Sequence, residues 1–151
     1  MSMTKVKSVA GAVAVLALSA SFALALSGAD AIKQRQALMK ENGEVTKPIV
    51  PILKGEAPFD LAAVQKALRT YANAAEKMPT LFPPDSKTGD TKALPAIWED
   101  TADFDARFKK LGDDAAAALA TVKDPASFRA TMPNFYKNCG GCHEKYRAKE
   151  N

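Results

Sequence analysis

The stretch NFYKNCGGCHEKYRAKEN, at 134–151, holds both cysteines of the chain and its one histidine. Cys139 and Cys142 stand three residues apart, and His143 follows directly. Three chemistries use this pattern. A dithiol redox site normally opens a helix after a strand in a thioredoxin-like fold, and no strand-like alternation precedes this one. A structural zinc site needs four ligands. This chain supplies two thiolates and one imidazole, with no further cysteine or histidine to close a tetrahedron. Covalent haem attachment needs only what is present. On a helix, Cys139 and Cys142 differ by about 300° of rotation and about 4.5 Å of rise. Their sulfurs can then reach the two vinyl groups on one porphyrin edge, with His143 projecting over the ring face toward iron. Gly140 and Gly141 leave room for the porphyrin near the backbone. The expected cofactor is one haem c per chain, bound through two thioethers. Zinc and dithiol chemistry are the alternatives.

The other end of the chain speaks to the compartment. MSMTKVK carries Lys5 and Lys7, an uncharged run follows, and Ala23-Leu24-Ala25 is a small-x-small site. This is the form of a secretory signal peptide over 1–25, cleaved after Ala25, and it places the protein in the periplasm. The run from Ser8 to Ala25 is 18 residues and rich in alanine and serine, which is marginal for an anchor helix. No stable membrane insertion is expected once the segment is removed. Of 21 basic side chains, losing Lys5 and Lys7 leaves 19 against 17 acidic ones. A balance this close to neutral gives no argument for nucleic acid. A disulfide between Cys139 and Cys142 would enclose only two residues, so it would stabilise the fold little.

Residues 26–151 form one domain and read as helices. The first begins near Asp30, a plausible N-cap, with Ile32, Arg35, Gln36, Met39 and Gly43 on one face; Pro48 and Pro51 interrupt it. Asp60 caps a second helix, LAAVQKALRTYANAAEK, with Leu61, Val64, Leu68 and Tyr71 or Ala72 inward. Pro79, Pro83, Pro84 and Gly89 exclude regular helix from the long loop that follows. A third helix starts with Pro95 in its first turn and ends near Val122. Asp124-Pro125 opens the fourth, in which Pro133 introduces a kink. The expected fold is an all-α, antiparallel up-down four-helix bundle.

The late position of C-G-G-C-H-E-K-Y-R at 139–147, with R-Q-A-L-M at 35–39 and P-A-I-W at 95–98, resembles the class II cytochromes c, the cytochrome c′ family. The resemblance runs from about Asp30 to Arg147. It implies a four-helix bundle, commonly a homodimer, with one haem between helices and one haem edge near solvent. It also implies Cys139 and Cys142 as the thioether residues, His143 as the proximal iron ligand and Arg147 bordering the proximal pocket. High-spin members leave the sixth iron position empty and bind nitric oxide or carbon monoxide. A low-spin branch fills it with a methionine and transfers electrons.

Met39 matches that methionine. Standing alone, a methionine on a helix face is usually core filling. The haem alters that, because Met132 shares the helix of His143 and Met78 lies in a loop. If the first and fourth helices are neighbours, Met39 faces His143 across a haem slot. Arg35, one turn earlier, is either a partner for a haem propionate or a snorkelling surface arginine. Trp98 is read as packing, against other side chains or the haem edge. Tyr71, Tyr136 and Tyr146 are read as half-buried, and Glu144, Lys145 and Lys149 as solvated. No acid–base pair stands beside the motif, so no enzyme is expected. The resulting expectation is a periplasmic electron carrier with a His143/Met39-ligated low-spin haem, passing single electrons between periplasmic or membrane-bound redox proteins. The alternative is a high-spin gas binder.

Overall fold

The computed structural model describes residues 26–149, and the segment read as a signal peptide lies outside them. The first long helix, α1, spans Gly28–Thr46. Its N-cap is Ser27, whose hydroxyl accepts from the Asp30 amide at 3.2 Å and donates to the Asp30 carboxylate at 2.7 Å. The helix therefore starts two residues before Asp30, which sits in the first turn where a carboxylate suits the dipole. A side chain at Gly28 would collide with the Asp85 carbonyl, 2.3 Å from where its Cβ would stand. Pro48 separates α1 from a short helix, α2, at Ile49–Lys54, since proline offers no amide to continue the ladder. Gly55 ends α2 at φ +75°, a left-handed conformation that glycine adopts without strain.

Asp60 caps α3, Leu61–Lys77, as its sequence implies. The third helix departs from expectation. It divides into one turn, α4 at Ala96–Glu99, and a long helix, α5 at Thr101–Thr121. Asp100 leaves helical geometry (φ −134°, ψ 60°) and its carboxylate takes the Asp103 amide, restarting the helix as an N-cap. The fourth also divides. Asp124 and Ser127 form a reciprocal capping box with Pro125 in the first turn, opening α6 at Pro125–Phe135. After Tyr136, α7 runs over Lys137–Tyr146.

These pieces make a four-helix bundle in which α3 and α5 share the most extensive contact. The core has two parts. One gathers Val64, Leu68, Ala115, Phe128, Met132 and Phe135. The other gathers Met78, Ile97, Phe104, Phe108 and Tyr146, with Cys142 packed on it. Residues 78–95 are not helical but are ordered, with 3₁₀ turns at Met78–Leu81 and Pro84–Ser86. Their far end pairs with the tail of α7 through an isolated antiparallel bridge, Ala93 to Arg147. Among the described residues no helix is long and apolar enough to cross a membrane.

Phe128 is 1 % exposed and packs its ring on Phe59 at 5.5 Å. Phe128→Ala is expected to cost about 3–5 kcal/mol, read as a lower midpoint with unchanged slope in guanidinium unfolding of the holoprotein.

Candidate haem site

α1 and α7 are not among the packed helix pairs. Between them lies a cavity of about 740 Å³, backed by α3 and α5. This volume falls in the range of sites that enclose a sizeable organic ligand, about 300–1,000 Å³. Cys139, Cys142 and His143 line one side of it, and Gln36, Met39 and Gly43 of α1 line the other. The expected slot is therefore present, and its walls are separate rather than in direct helix contact.

Burial sets the protonation of the motif. It pushes both thiols above their ordinary value, so they are held as thiols, and the neighbouring Arg107 partly opposes this at Cys142. Burial, aided by the Arg147 charge, pushes His143 below its ordinary value. A neutral imidazole is the form that binds a metal.

Of the two settings expected for Arg35, the snorkelling surface residue is excluded, because the side chain is 5 % exposed. Its guanidinium donates to the Leu81 carbonyl (3.1 Å), Ser86 Oγ (2.9 Å), the Ser86 carbonyl (3.0 Å) and Thr91 Oγ1 (2.6 Å). It also lies 4.6 Å from the Phe82 ring centre. This anchors the proline-rich loop to α1. All four acceptors are neutral, and burial lowers the tendency of the group to stay charged. A buried cation on a cavity wall with neutral acceptors only suits a carboxylate in that cavity.

A second polar group stands on α1, α3 and the α6–α7 junction. The Thr46 hydroxyl donates to the Asn42 carbonyl at 2.6 Å. It has one proton, so its 2.7 Å contact with Tyr71 must be donated by the tyrosine. Tyr71 has then spent its own proton, so Tyr136 donates to it at 3.0 Å. The Asn42 side-chain oxygen is buried beside this chain without a partner. All four residues line the cavity. The residues fit a haem: two thiols and a neutral imidazole on one wall, an aromatic and aliphatic back, and polar atoms whose bonding is incomplete without a ligand.

The remaining sequence assignments divide. Met39 is on the cavity wall, 37 % exposed. Trp98 is packing: its ring meets Phe82, its indole N–H donates to the Phe82 carbonyl at 2.8 Å, and it does not line the cavity. Tyr71 and Tyr146 are fully buried rather than half-buried. Lys145 is not a merely solvated charge, for it bonds Asp100 at 2.8 Å and Asp103 at 3.0 Å. Sequence reasoning missed the Thr46–Tyr71–Tyr136 chain and the Asp103–Arg107 pair. The i,i+4 spacing of Asp103 and Arg107 was a readable signal.

A helical bundle with a Cys-x-x-Cys-His turn opening on an apolar cavity defines a bundle-type c haem protein. The family model described as cytochrome C′ matches residues 30–147. A cytochrome c′ from Rhodopseudomonas palustris is 51 % identical over 137 residues, covering 90 % of this chain and 92 % of that protein. A solved structure of cytochrome c′ from Rhodopseudomonas palustris has a TM-score of 0.78 at 54 % identity, covering 81 % of this chain and 98 % of that one. A cytochrome c-556 from Agrobacterium fabrum is 41 % identical over 127 residues, covering 83 % and 86 %. The chain belongs to the cytochrome c′ family. It is a haem protein rather than an enzyme, and binds one haem c covalently through Cys139 and Cys142.

Burial raises all three tyrosines above their ordinary value, with the hydroxyl bond to Tyr71 adding at Tyr136 and the Asp103 carboxylate adding at Tyr146. Unfolded tyrosine loses its proton near about pH 10. Above that pH the unfolded chain sheds protons that the native chain keeps, so stability falls as pH rises. Alkaline titration should show no tyrosinate absorbance in the native protein at about pH 10. It should then appear for all three together with loss of helical circular dichroism. Stepwise tyrosinate formation before helix loss would contradict the assignment.

Proposed function

We propose that the protein is a gas-binding haem c protein that takes nitric oxide or carbon monoxide on the α1 side of the haem. The observation that carries this reading is the 51 % identity, over 90 % of this chain, to a protein named cytochrome c′. The reading departs from the expectation of a His/Met-ligated electron carrier. That second reading keeps its own support: Met39 lines the same cavity as His143, and relatives named cytochrome c-556 match the chain at up to 41 %.

When bound, the haem would supply one-electron chemistry and an iron that takes a diatomic ligand. The chain does the rest. Cys139 and Cys142 tether the ring. His143, kept neutral by burial, offers its imidazole to the iron from α7. Arg35 balances a haem carboxylate from its buried position behind the loop. Phe104, Phe108 and Leu111 exclude water from the back of the cavity. The N-terminal segment 1–25 acts as a signal peptide, which leaves residues 26–151 in the periplasm. Redox partners reach the protein at its open haem edge in the electron-carrier reading.

Absorption spectra of both oxidation states, with and without Met39→Ala, separate the two. A gas binder is high-spin in the ferric state, binds carbon monoxide without a preceding ligand loss, and keeps its spectrum in the variant. A low-spin wild-type spectrum that becomes high-spin in Met39→Ala would install the electron carrier instead.

A further inference from the structure

We infer that Arg107 is a positioning residue for the proximal side of the haem. Its guanidinium, fixed by Asp103, grips the Gly141 carbonyl and sets the turn of α7 that carries Cys142 and His143. The inference rests on the proposal that His143 binds the iron.

The need for such a grip is visible in α7 itself. Of the ten residues in Lys137–Tyr146, only Tyr146 is buried, and Cys142 is partly buried against the same cluster. The first turn of the helix has no side-chain cap. Gly140 and Gly141 stand consecutively in its middle, and glycine disfavours the helical conformation. The turn that must present three haem-binding side chains therefore has little local support of its own.

Polar contacts from α5 compensate on both sides of His143. Arg107 Nη1 donates to the Gly141 carbonyl at 3.1 Å, two residues before the histidine. A carbonyl oxygen has two lone pairs, so this bond adds to the helical ladder without breaking it. Three residues after the histidine, the Tyr146 hydroxyl donates to Asp103 Oδ2. Arg107 Nε reaches that same oxygen at 2.7 Å and Lys145 at 3.0 Å. One carboxylate oxygen thus collects an α5 donor and two α7 donors, and holds the guanidinium so that its other edge faces Gly141. The planar fork of arginine presents Nε to Asp103 and Nη1 to Gly141 in one fixed geometry, which the compact ammonium of lysine does not reproduce. At Gly141, a Cβ would stand 3.6 Å from Arg107 Nη1, so the two groups meet at ordinary contact distance. Of the other cations of α5, Lys109 pairs with Asp113 on the exposed face, and Lys110 pairs with Asp114, whose carboxylate also takes Asn138 of α7, on the turn before Cys142 and His143.

A group that orients a ligating histidine alters the electronic state of the metal, not only the stability of the fold. The test uses the ferric holoprotein, with proton NMR of the hyperfine-shifted haem methyls and selective ¹⁵N labelling of the one histidine. The methyl pattern reports imidazole orientation in either spin state. Arg107→Leu and Asp103→Asn are both expected to redistribute the methyl shifts and move the reduction potential. Arg107→Lys should fail to restore the wild-type pattern, and Lys109→Leu should leave it intact. Should Arg107→Leu not accumulate as folded holoprotein, Asp103→Asn carries the test, because it removes the anchor and leaves the guanidinium. Lower thermal stability with wild-type shifts and potential in Arg107→Leu and Asp103→Asn would overturn the inference alone. Absence of hyperfine-shifted His143 resonances in the wild type would overturn the ligand assignment, and the inference with it.

Discussion

The fold is organised by a contact it does not make. Three sides of the bundle close by helix packing, but α1 and α7 stand apart across a cavity of about 740 Å³. Walls this far apart gain dispersion contacts from a group that fills the space between them, and the haem c of this family is such a group. The walls offer it Met39, the buried guanidinium of Arg35 among neutral acceptors, and the Asn42 side-chain oxygen, which has no donor among the described residues.

The two ends of the cavity are built by different physics. At one end a single cation, Arg35, collects the proline-rich loop, so that its far stretch, Asp90 to Ala93, stands as part of the wall. At the other end hydroxyls, rather than charges, join three elements beside Cys139. Between them α7 is held from behind by an ion and hydrogen-bond cluster on α5. Exposed ion pairs are individually weak, but here one carboxylate oxygen coordinates three donors. The geometry, more than the Coulomb energy, is what that arrangement supplies.

Local signals in the sequence read correctly where they act over one turn. Asp60, Asp124-Pro125 and Pro48 mark the boundaries they occupy, and the Cys-x-x-Cys-His turn identifies its own chemistry. Two boundaries depart from expectation: Ser27, rather than Asp30, caps the first helix, and Asp100 interrupts the third and restarts it one turn after Pro95 opens it. The cavity's polar residues were legible by position but not by partner. Arg35 meets acceptors 46 to 56 residues away, and the Tyr71–Tyr136 contact spans 65. No periodicity encodes such a pairing, because it depends on how whole helices are laid against each other.

The one-way hydroxyl chain from Tyr136 through Tyr71 to Thr46 has a consequence for how this sequence can drift. Tyr136 only donates, Tyr71 receives from it and donates on, and Thr46 receives from Tyr71 and donates to the Asn42 backbone carbonyl. Replacing Tyr71 alone by phenylalanine takes away the acceptor of the half-buried Tyr136 hydroxyl, and a donor left without a partner is costly in proportion to its burial. Replacing Tyr136 alone leaves Tyr71 still able to donate. Removal from the Tyr136 end is therefore the permitted order, and descendants of this chain should lose the tyrosine of the fourth helix before that of α3.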